Sequence, residues 1–294
     1  MKPVAFAYCR PGSIAEACAE LACDSDARVL AGGQTLIPLL AMRLARPTRL
    51  IDIARIGELK GIRREQATVA IGAATTQAVT ERDRIVRDRL PLLAKALPFI
   101  GHPATRHRGT VGGSIANGDP AAEIPLVAIA LEARIALKSA AHALEMAASD
   151  FYLGPMLTAL PEGAMVTEVR FPVWSQSRVG AAFHEVSARA GDFALVACAA
   201  QAALDEDGRC LDLTAAVGGA CDMPIRLEGL RSALQGSTLE EARVREAVLS
   251  ATAALETVDD LHASALYRKR VAATLAERAI RDAKMQALGG RHAR

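Results

Sequence analysis

Aromatic side chains are scarce: Phe, Tyr and Trp together make up 3% of the 294 residues, with a single tryptophan. There is thus no aromatic ladder on which bases could stack. Acidic and basic residues are mixed along the whole chain, and the net charge is only +2, so no basic block is available to a phosphate backbone. These two absences exclude nucleic acid as the partner. The small basic cluster Arg43, Arg46 and Arg49 reads as a solvated or partner-facing edge. The six cysteines (Cys9, Cys18, Cys23, Cys198, Cys210, Cys221) stand singly, with no Cys-x-x-Cys and no histidine at a zinc-ligand interval. No metal site is expected, and an iron–sulfur cluster held wholly by this chain at the usual spacing is excluded. Reduced, mostly buried thiols predict a cytoplasmic protein. No stretch is long and apolar enough to span a bilayer, and the N-terminus lacks the charged-then-apolar run of a secretion signal.

What is abundant is alanine and glycine. The hydrophobic fraction is 51% with 23% charged residues, an ordinary globular balance, and its alanine bias favours closely packed helices. The length suits two domains. One stretch organises the rest: Thr105 to Glu123, TRHRGTVGGSIANGDPAAE. The pair Gly112-Gly113 lets backbone approach a ligand closely, among the hydroxyls of Thr110 and Ser114, the amide of Asn117 and the Asp119-Pro120 turn. Its nineteen mostly small or polar residues bury little and cost entropy to order, so a bound cofactor is the natural ordering agent. A shorter relative, AGGQT at Ala31 to Thr35, lies far upstream. Two such loops point to one large, phosphate-bearing cofactor.

In order along the chain, a short extended segment at 3–10 is followed by a helix capped by Ser13. ARVLAGG forms a strand that breaks at the glycines, LIPLLAMRL a short helix and RLIDI a second strand, a βαβ-like unit. It is not the Gly-x-Gly-x-x-Gly dinucleotide fingerprint, since a third glycine is missing and Asp52 is embedded in its strand. TVAIGAATT predicts a strand, 77–99 helices, and VGGSIAN a short helical turn with outward amides. IPLVAIALEA predicts a helix, ARIAL a strand, LEMAASDFY and the residues to Pro161 loops and turns, and MVTEVRFPV a strand. The polar stretch from Trp174 to Gly180 marks a domain boundary. Beyond it, three consecutive strands are expected, the second and third joined by a hairpin turn at 205–208, followed by helices over 227–287 and a frayed tail from Gly289.

A diphosphate needs donors without bulk. Successive backbone amides at Gly32, Gly33, Gln34 and Thr35 on one side and Thr110 to Ser114 on the other would supply them. Asp119 would repel phosphate and suits a ribose or another hydroxyl or N–H donor. The alternative, that both loops are merely tight turns where sheet meets helix, stays open from the residues alone. No acid–base constellation accompanies the loops: His102 and His107 lack an acidic partner at useful spacing. His184 and Glu185 are neighbours on a strand and face opposite ways. A chain that binds a large cofactor without catalytic side chains leaves the chemistry to the cofactor, as electron transfer would.

ARVLAGGQTLIPLL, the LIDI strand, IGAATT and RGTVGGSIANGDPAAEIP, continued by MVTEVRFP, GDFALVACA and YRKRVAATLAERAI, resemble the FAD-binding medium subunit of molybdenum hydroxylases. The resemblance covers nearly the whole chain. It implies an α+β protein: a two-lobed FAD-binding domain of the vanillyl-alcohol oxidase type over 1–175, with lobes at about 1–55 and 56–175. A small C-terminal domain over 178–285, a three-stranded antiparallel sheet with helices, would follow. It implies FAD contacts at Ala31, Gly32, Gly33, Gln34, Thr35 and Leu36, and at Thr105, Gly109, Thr110, Val111, Gly112, Gly113 and Ser114. Asn117 and Asp119 would lie against the sugar or adenosine, with Leu160 and Val166 as apolar walls. The implied partners are a large subunit holding the molybdopterin cofactor and a small subunit with two [2Fe–2S] clusters, in a dimer of heterotrimers. Electrons would pass from the clusters through FAD to an external acceptor while an N-heteroaromatic compound is hydroxylated. A carbon monoxide or aldehyde dehydrogenase is the alternative within the family, and a self-contained flavin oxidase the alternative outside it. One departure stands out: Glu185 occupies a position where many relatives have lysine.

Overall fold

The computed structural model describes residues 2–289. Apart from Gly289, the tail expected to fray lies outside the described residues. The N-terminal segment builds the expected βαβ unit as a three-stranded parallel sheet. Arg49–Asp52 lies between the edge strands Ala7–Cys9 and Arg28–Leu30. The helix Ile14–Cys23 starts where the Ser13 side chain accepts the Glu16 N–H, and it buries Ala17, Cys18 and Leu21 on one face of this sheet, in a core with Ile51 and Ile53. On the other side of the chain's first glycine turn stands the six-residue helix Leu36–Ala41, which buries Leu40.

A five-stranded antiparallel sheet follows, in the order Ile62–Glu65, Thr68–Gly72, Met165–Pro172, Arg134–Lys138, Ala143–Ala147. Two of these strands are absent from the sequence expectations, and both are edges. Ile62–Glu65 reads IRRE, and its charges pair across the exposed sheet face: Arg63 bonds Glu65 and Glu168, and Arg170 bonds Glu168 at 2.8 Å. Ala143–Ala147, within the segment expected to be loop, is mostly solvent-exposed, so no alternating pattern announces it. The rest of that segment folds into the short helix Ala148–Phe151 and a small hairpin, Tyr152–Gly154 with Leu157–Thr158.

Helices pack on the inner face of this sheet. Pro91–Ala96 and Glu123–Ala130 contribute Leu92, Leu93, Ile124 and Val127 to the largest core, which also holds Val69, Ile71, Val169 and Phe171. Glu123–Ala130 is buried on every side, as the unbroken apolar run IPLVAIA that follows its first residue requires. The long strands Arg178–Ser187, Ala194–Leu204 and Cys210–Gly218 form an antiparallel sheet as expected, with the turn at 205–208 in place. A two-residue fourth strand, Ile225–Arg226, extends the three-stranded sheet that was predicted. Alanines line the facing strands and let the 23-residue helix Ala265–Ala287 lie close: a β-carbon at Gly180 would fall 2.5 Å from the Ala287 nitrogen. The two halves share one core through Ala181, Phe183, Ala197 and Ala199, and the rings of Phe99 and Phe183 meet at 5.1 Å.

Candidate functional site

The first glycine loop leaves the strand Arg28–Leu30 and enters the helix Leu36–Ala41 through Gly33, whose φ of 71° is left-handed. Two of its carbonyls are used at once, Gly33 O by Ile37 N–H at 3.1 Å and Thr35 O by Leu39 N–H at 3.2 Å. Its donors are not. Among the described residues, the N–H groups of Gly32, Gly33, Gln34 and Thr35 donate to no group of the chain. Gln34 and Thr35 are exposed and the two glycines half-buried, so four successive amides stand open at the mouth of a turn. That is the donor pattern an anion needs.

The second segment is built differently. Pro103–Arg108 is a short helix ended where Gly109 N–H bonds Thr105 O at 2.7 Å. Val111–Asn117 is a second one, capped by the Thr110 hydroxyl, which accepts Gly113 N–H at 3.0 Å. The remaining amides are engaged too: Val111 with Thr75 O at 3.0 Å, Gly112 with Ala73 O at 2.9 Å and Ser114 with Thr110 O at 3.1 Å. The expectation of outward amides from Thr110 to Ser114 is therefore corrected. Four of those five N–H groups are spent: those of Val111 and Gly112 hold the segment against the residues that follow the strand Thr68–Gly72, and those of Gly113 and Ser114 close its own first turn on Thr110. The expected helical turn over VGGSIAN is present, and its glycine serves packing: a β-carbon on Gly112 would lie 2.7 Å from Ala73 Cα.

The two loops meet. A β-carbon on Gly32 would lie 2.8 Å from both the Arg108 carbonyl carbon and Gly109 Cα, and closer still to the Arg108 oxygen. One on Gly113 would reach Ala31 Cβ at 3.6 Å. Backbone thus touches backbone at Gly32, which is why that position carries no side chain. Beneath the contact, Gln77 donates its N–H to Gly109 O at 2.8 Å while its buried Oε1 has no partner within the described chain.

Beyond the helix, Gly118 turns the chain toward Asp119, whose Oδ1 accepts Ala121 N–H at 2.9 Å and whose carboxyl is pushed up by burial. Asn117 and Ser114 are half-buried on this helix, and Thr105 and Leu36 are half-buried at the start of the second segment and the end of the first. Leu160 packs partly buried against the largest core, whereas Val166 is a buried member of it at 5% exposure. The structure thus brings Ala31 to Leu36 together with Thr105 to Ser114, and sets Val166 behind the surface.

Several neighbours of this site have no signal in the sequence. The turn at Gly191 abuts His102, since a β-carbon there would sit 2.8 Å from the imidazole. Pro120 O accepts Gly219 N–H at 2.8 Å, and the guanidinium of buried Arg268 holds Gly219 O at 2.7 Å and Leu195 O at 2.5 Å. The second domain therefore grips the glycine-rich segment at both ends. Glu123 heads its apolar helix almost fully buried, which its position as a first-turn acid does not announce. His184 does not pair with Glu185, as expected from strand alternation, and instead contacts Asp282 on the last helix at 2.9 Å. No group of three or more metal-ligating side chains occurs among the described residues.

The residues fit a flavin dinucleotide on structural grounds: open amides in one loop, a backbone contact that a β-carbon would fill, and an orphaned Gln77 oxygen beside it. Comparison with known proteins agrees. Residues 4–174 match the family model of the FAD binding domain in molybdopterin dehydrogenase, and residues 181–283 that of the CO dehydrogenase flavoprotein C-terminal domain. The carbon monoxide dehydrogenase medium chain of Hydrogenophaga pseudoflava is 38% identical over 96% of this chain and 98% of its own length. The nicotine 6-hydroxylase medium subunit of Paenarthrobacter nicotinovorans is 36% identical over 96% of this chain and 99% of its own. Among solved structures, quinoline 2-oxidoreductase from Pseudomonas putida 86 superposes with a TM-score of 0.93 at 34% identity, covering 98% of this chain and 100% of that one.

Proposed function

The chain belongs to the FAD-binding medium subunits of the molybdenum hydroxylases, and from that premise we propose that it is the electron-transfer subunit of a heterotrimer. Bound FAD supplies a ring that accepts electrons from iron–sulfur clusters and passes them to an external acceptor. The chain's own task is to hold and orient that group. The amides of Gly32, Gly33, Gln34 and Thr35 receive the diphosphate, and the Thr110–Ser114 segment forms the opposite wall with the Thr110 N–H and Ser114 hydroxyl as its remaining donors. Asp119 and Asn117 meet the sugar or adenosine, with Ala31, Leu36, Thr105, Gly109 and Leu160 around them and Val166 behind. The observation that carries this reading is the backbone contact at Gly32, which puts four open amides beside the second segment.

The partners are a large molybdopterin-holding subunit and a small subunit with [2Fe–2S] clusters, assembled as a dimer of heterotrimers in the cytoplasm. The domain division falls between residues 175 and 178. N-heteroaromatic hydroxylation is the favoured overall reaction, supported by the relatives named for nicotine and quinoline. Purification of the native complex tests the reading: three polypeptides, molybdenum and iron, and a flavin spectrum that bleaches on adding an N-heteroaromatic substrate are expected. Flavin-free protein recovered with its partners refutes it.

A further inference from the structure

Apart from the residues assigned to FAD, a cleft of about 280 Å³ opens between the helices Gln77–Arg82 and Pro103–Arg108, lined also by Arg87 of the helix Arg84–Arg89. Its polar lining is cationic in excess. Arg106 is already committed: it pairs with Glu81 at 2.9 Å and donates to the carbonyls of Ile100 and Gly101. That pair is the best-buried part of the wall, with side chains 11% and 26% exposed, and it cancels its own charge. The guanidinium groups left over are those of Arg82 and Arg87. Among the described residues Arg82 donates to nothing. Arg87 makes one bond, from Nη2 to the Arg82 carbonyl at 2.9 Å, which draws it onto the end of the first helix. His107 adds an imidazole. Its Nδ1 lies 2.7 Å from the Pro103 carbonyl, which can only accept, so Nδ1 carries the proton and Nε2 is left without a partner in the described chain. The neighbouring acids are used elsewhere. Asp83 caps its helix through the N–H groups of Ile85 and Val86, and Asp88 pairs with Arg84 at 3.3 Å.

Two guanidinium groups lining one cleft repel each other, and a ligand carrying two negative charges turns that repulsion into attraction. Each presents paired N–H donors in a planar fork that matches the oxygens of a phosphate. A single carboxylate would offset only one of the two charges. A phosphate monoester offsets both, since its second pKa of about 6 leaves it doubly charged at neutral pH with three strong acceptor oxygens. The volume leaves room beyond the phosphate group, and Ala78 and the Pro103 ring supply apolar wall for a compact organic body.

We propose that this cleft binds a small phosphate monoester, its dianionic head held by Arg82 and Arg87 with His107 as a third polar contact and its body resting on Ala78 and Pro103. The inference does not depend on the FAD reading, because none of these residues is assigned to that cofactor.

The test is calorimetric titration of inorganic phosphate and of phenyl phosphate into the full-length protein at pH 8 and low salt. One saturable site is expected, several-fold tighter for phenyl phosphate because of the apolar wall, and weakened as sodium chloride is added. Arg82→Gln/Arg87→Gln should lower its affinity by at least about tenfold. Both side chains are exposed, so the fold is not at stake, and an unchanged melting temperature confirms that. Arg84→Gln/Arg89→Gln is the control: it removes the same charge from the neighbouring positions outside the cleft and should leave the affinity within about twofold, as expected of a contact rather than a field. Equal losses in the two double variants would reduce the site to diffuse attraction and overturn the proposal. Binding that survives Arg82→Gln/Arg87→Gln belongs to another place, such as the open amides of the first loop, and also overturns it. So does the absence of saturable binding by either probe.

Discussion

Replacing Gly32 by alanine adds one methyl group to a turn, and the geometry states what it meets. The new carbon would stand 2.8 Å from the Arg108 carbonyl carbon and from Gly109 Cα, where ordinary contacts begin at 3.4 Å. Both are backbone atoms, as is the still closer Arg108 oxygen, so no rotamer change relieves the clash; the loops must separate by more than the roughly 0.6 Å that the two carbons alone would need. Overpacking of this kind costs roughly 1–3 kcal/mol. The turn is half-buried and on the surface, so the strain is expected to fall on the approach of the two loops more than on the cores. Assigning about 1.4–2.8 kcal/mol to the cofactor predicts FAD binding weaker by roughly 10- to 100-fold. Flavin fluorescence titration reads the affinity, and thermal melting of the apoprotein reads the fold. Gly57→Ala is the control, since nothing lies within 4 Å of a β-carbon there. An affinity for Gly32→Ala within twofold of native, with the melt unchanged, would refute the claim that contact at Gly32 shapes the site.

Arg268→Leu leaves the carbonyls of Leu195 and Gly219 without their donor, so unfolding in urea should become easier by about 2–4 kcal/mol and FAD should bind less tightly, because Gly219 pins Pro120. Glu123 titrates higher in the folded protein than unfolded; its contribution to apoprotein stability is therefore full below the ordinary glutamate range and is lost as pH rises toward about 8. The melting temperature of Glu123→Gln relative to native should accordingly climb between pH 5 and pH 8; a constant difference would contradict the assignment. Thiol labelling of the native chain should mark Cys23 first, since it is exposed while burial pushes Cys198 up to about 12 and Cys210 and Cys221 up to about 11. Mass spectrometry of the labelled peptides decides it.

The sequence made plain whatever rests on local pattern. The strand–glycine–helix–strand order at 28–52, the short helix over VGGSIAN and the hairpin at 205–208 all carry their own turn chemistry. Edge strands escaped it, because IRRE and ALEMA are exposed and nothing in their spacing alternates. The donor count of the second segment escaped it for another reason. Amides after a capping threonine look alike whether they face a ligand or, as at Val111 and Gly112, the carbonyls of Thr75 and Ala73 just beyond a strand elsewhere in the chain. Glu123 was similarly hidden: it reads as an ordinary first-turn acid until the fold buries it.

Arg268 sits near the start of the chain's final helix, and through Gly219 it fixes Pro120 at the end of the glycine-rich segment. During synthesis that segment emerges long before the helix that secures it. The pocket is then among the last features to take its finished shape, because the helix that secures it also completes the core of the C-terminal sheet.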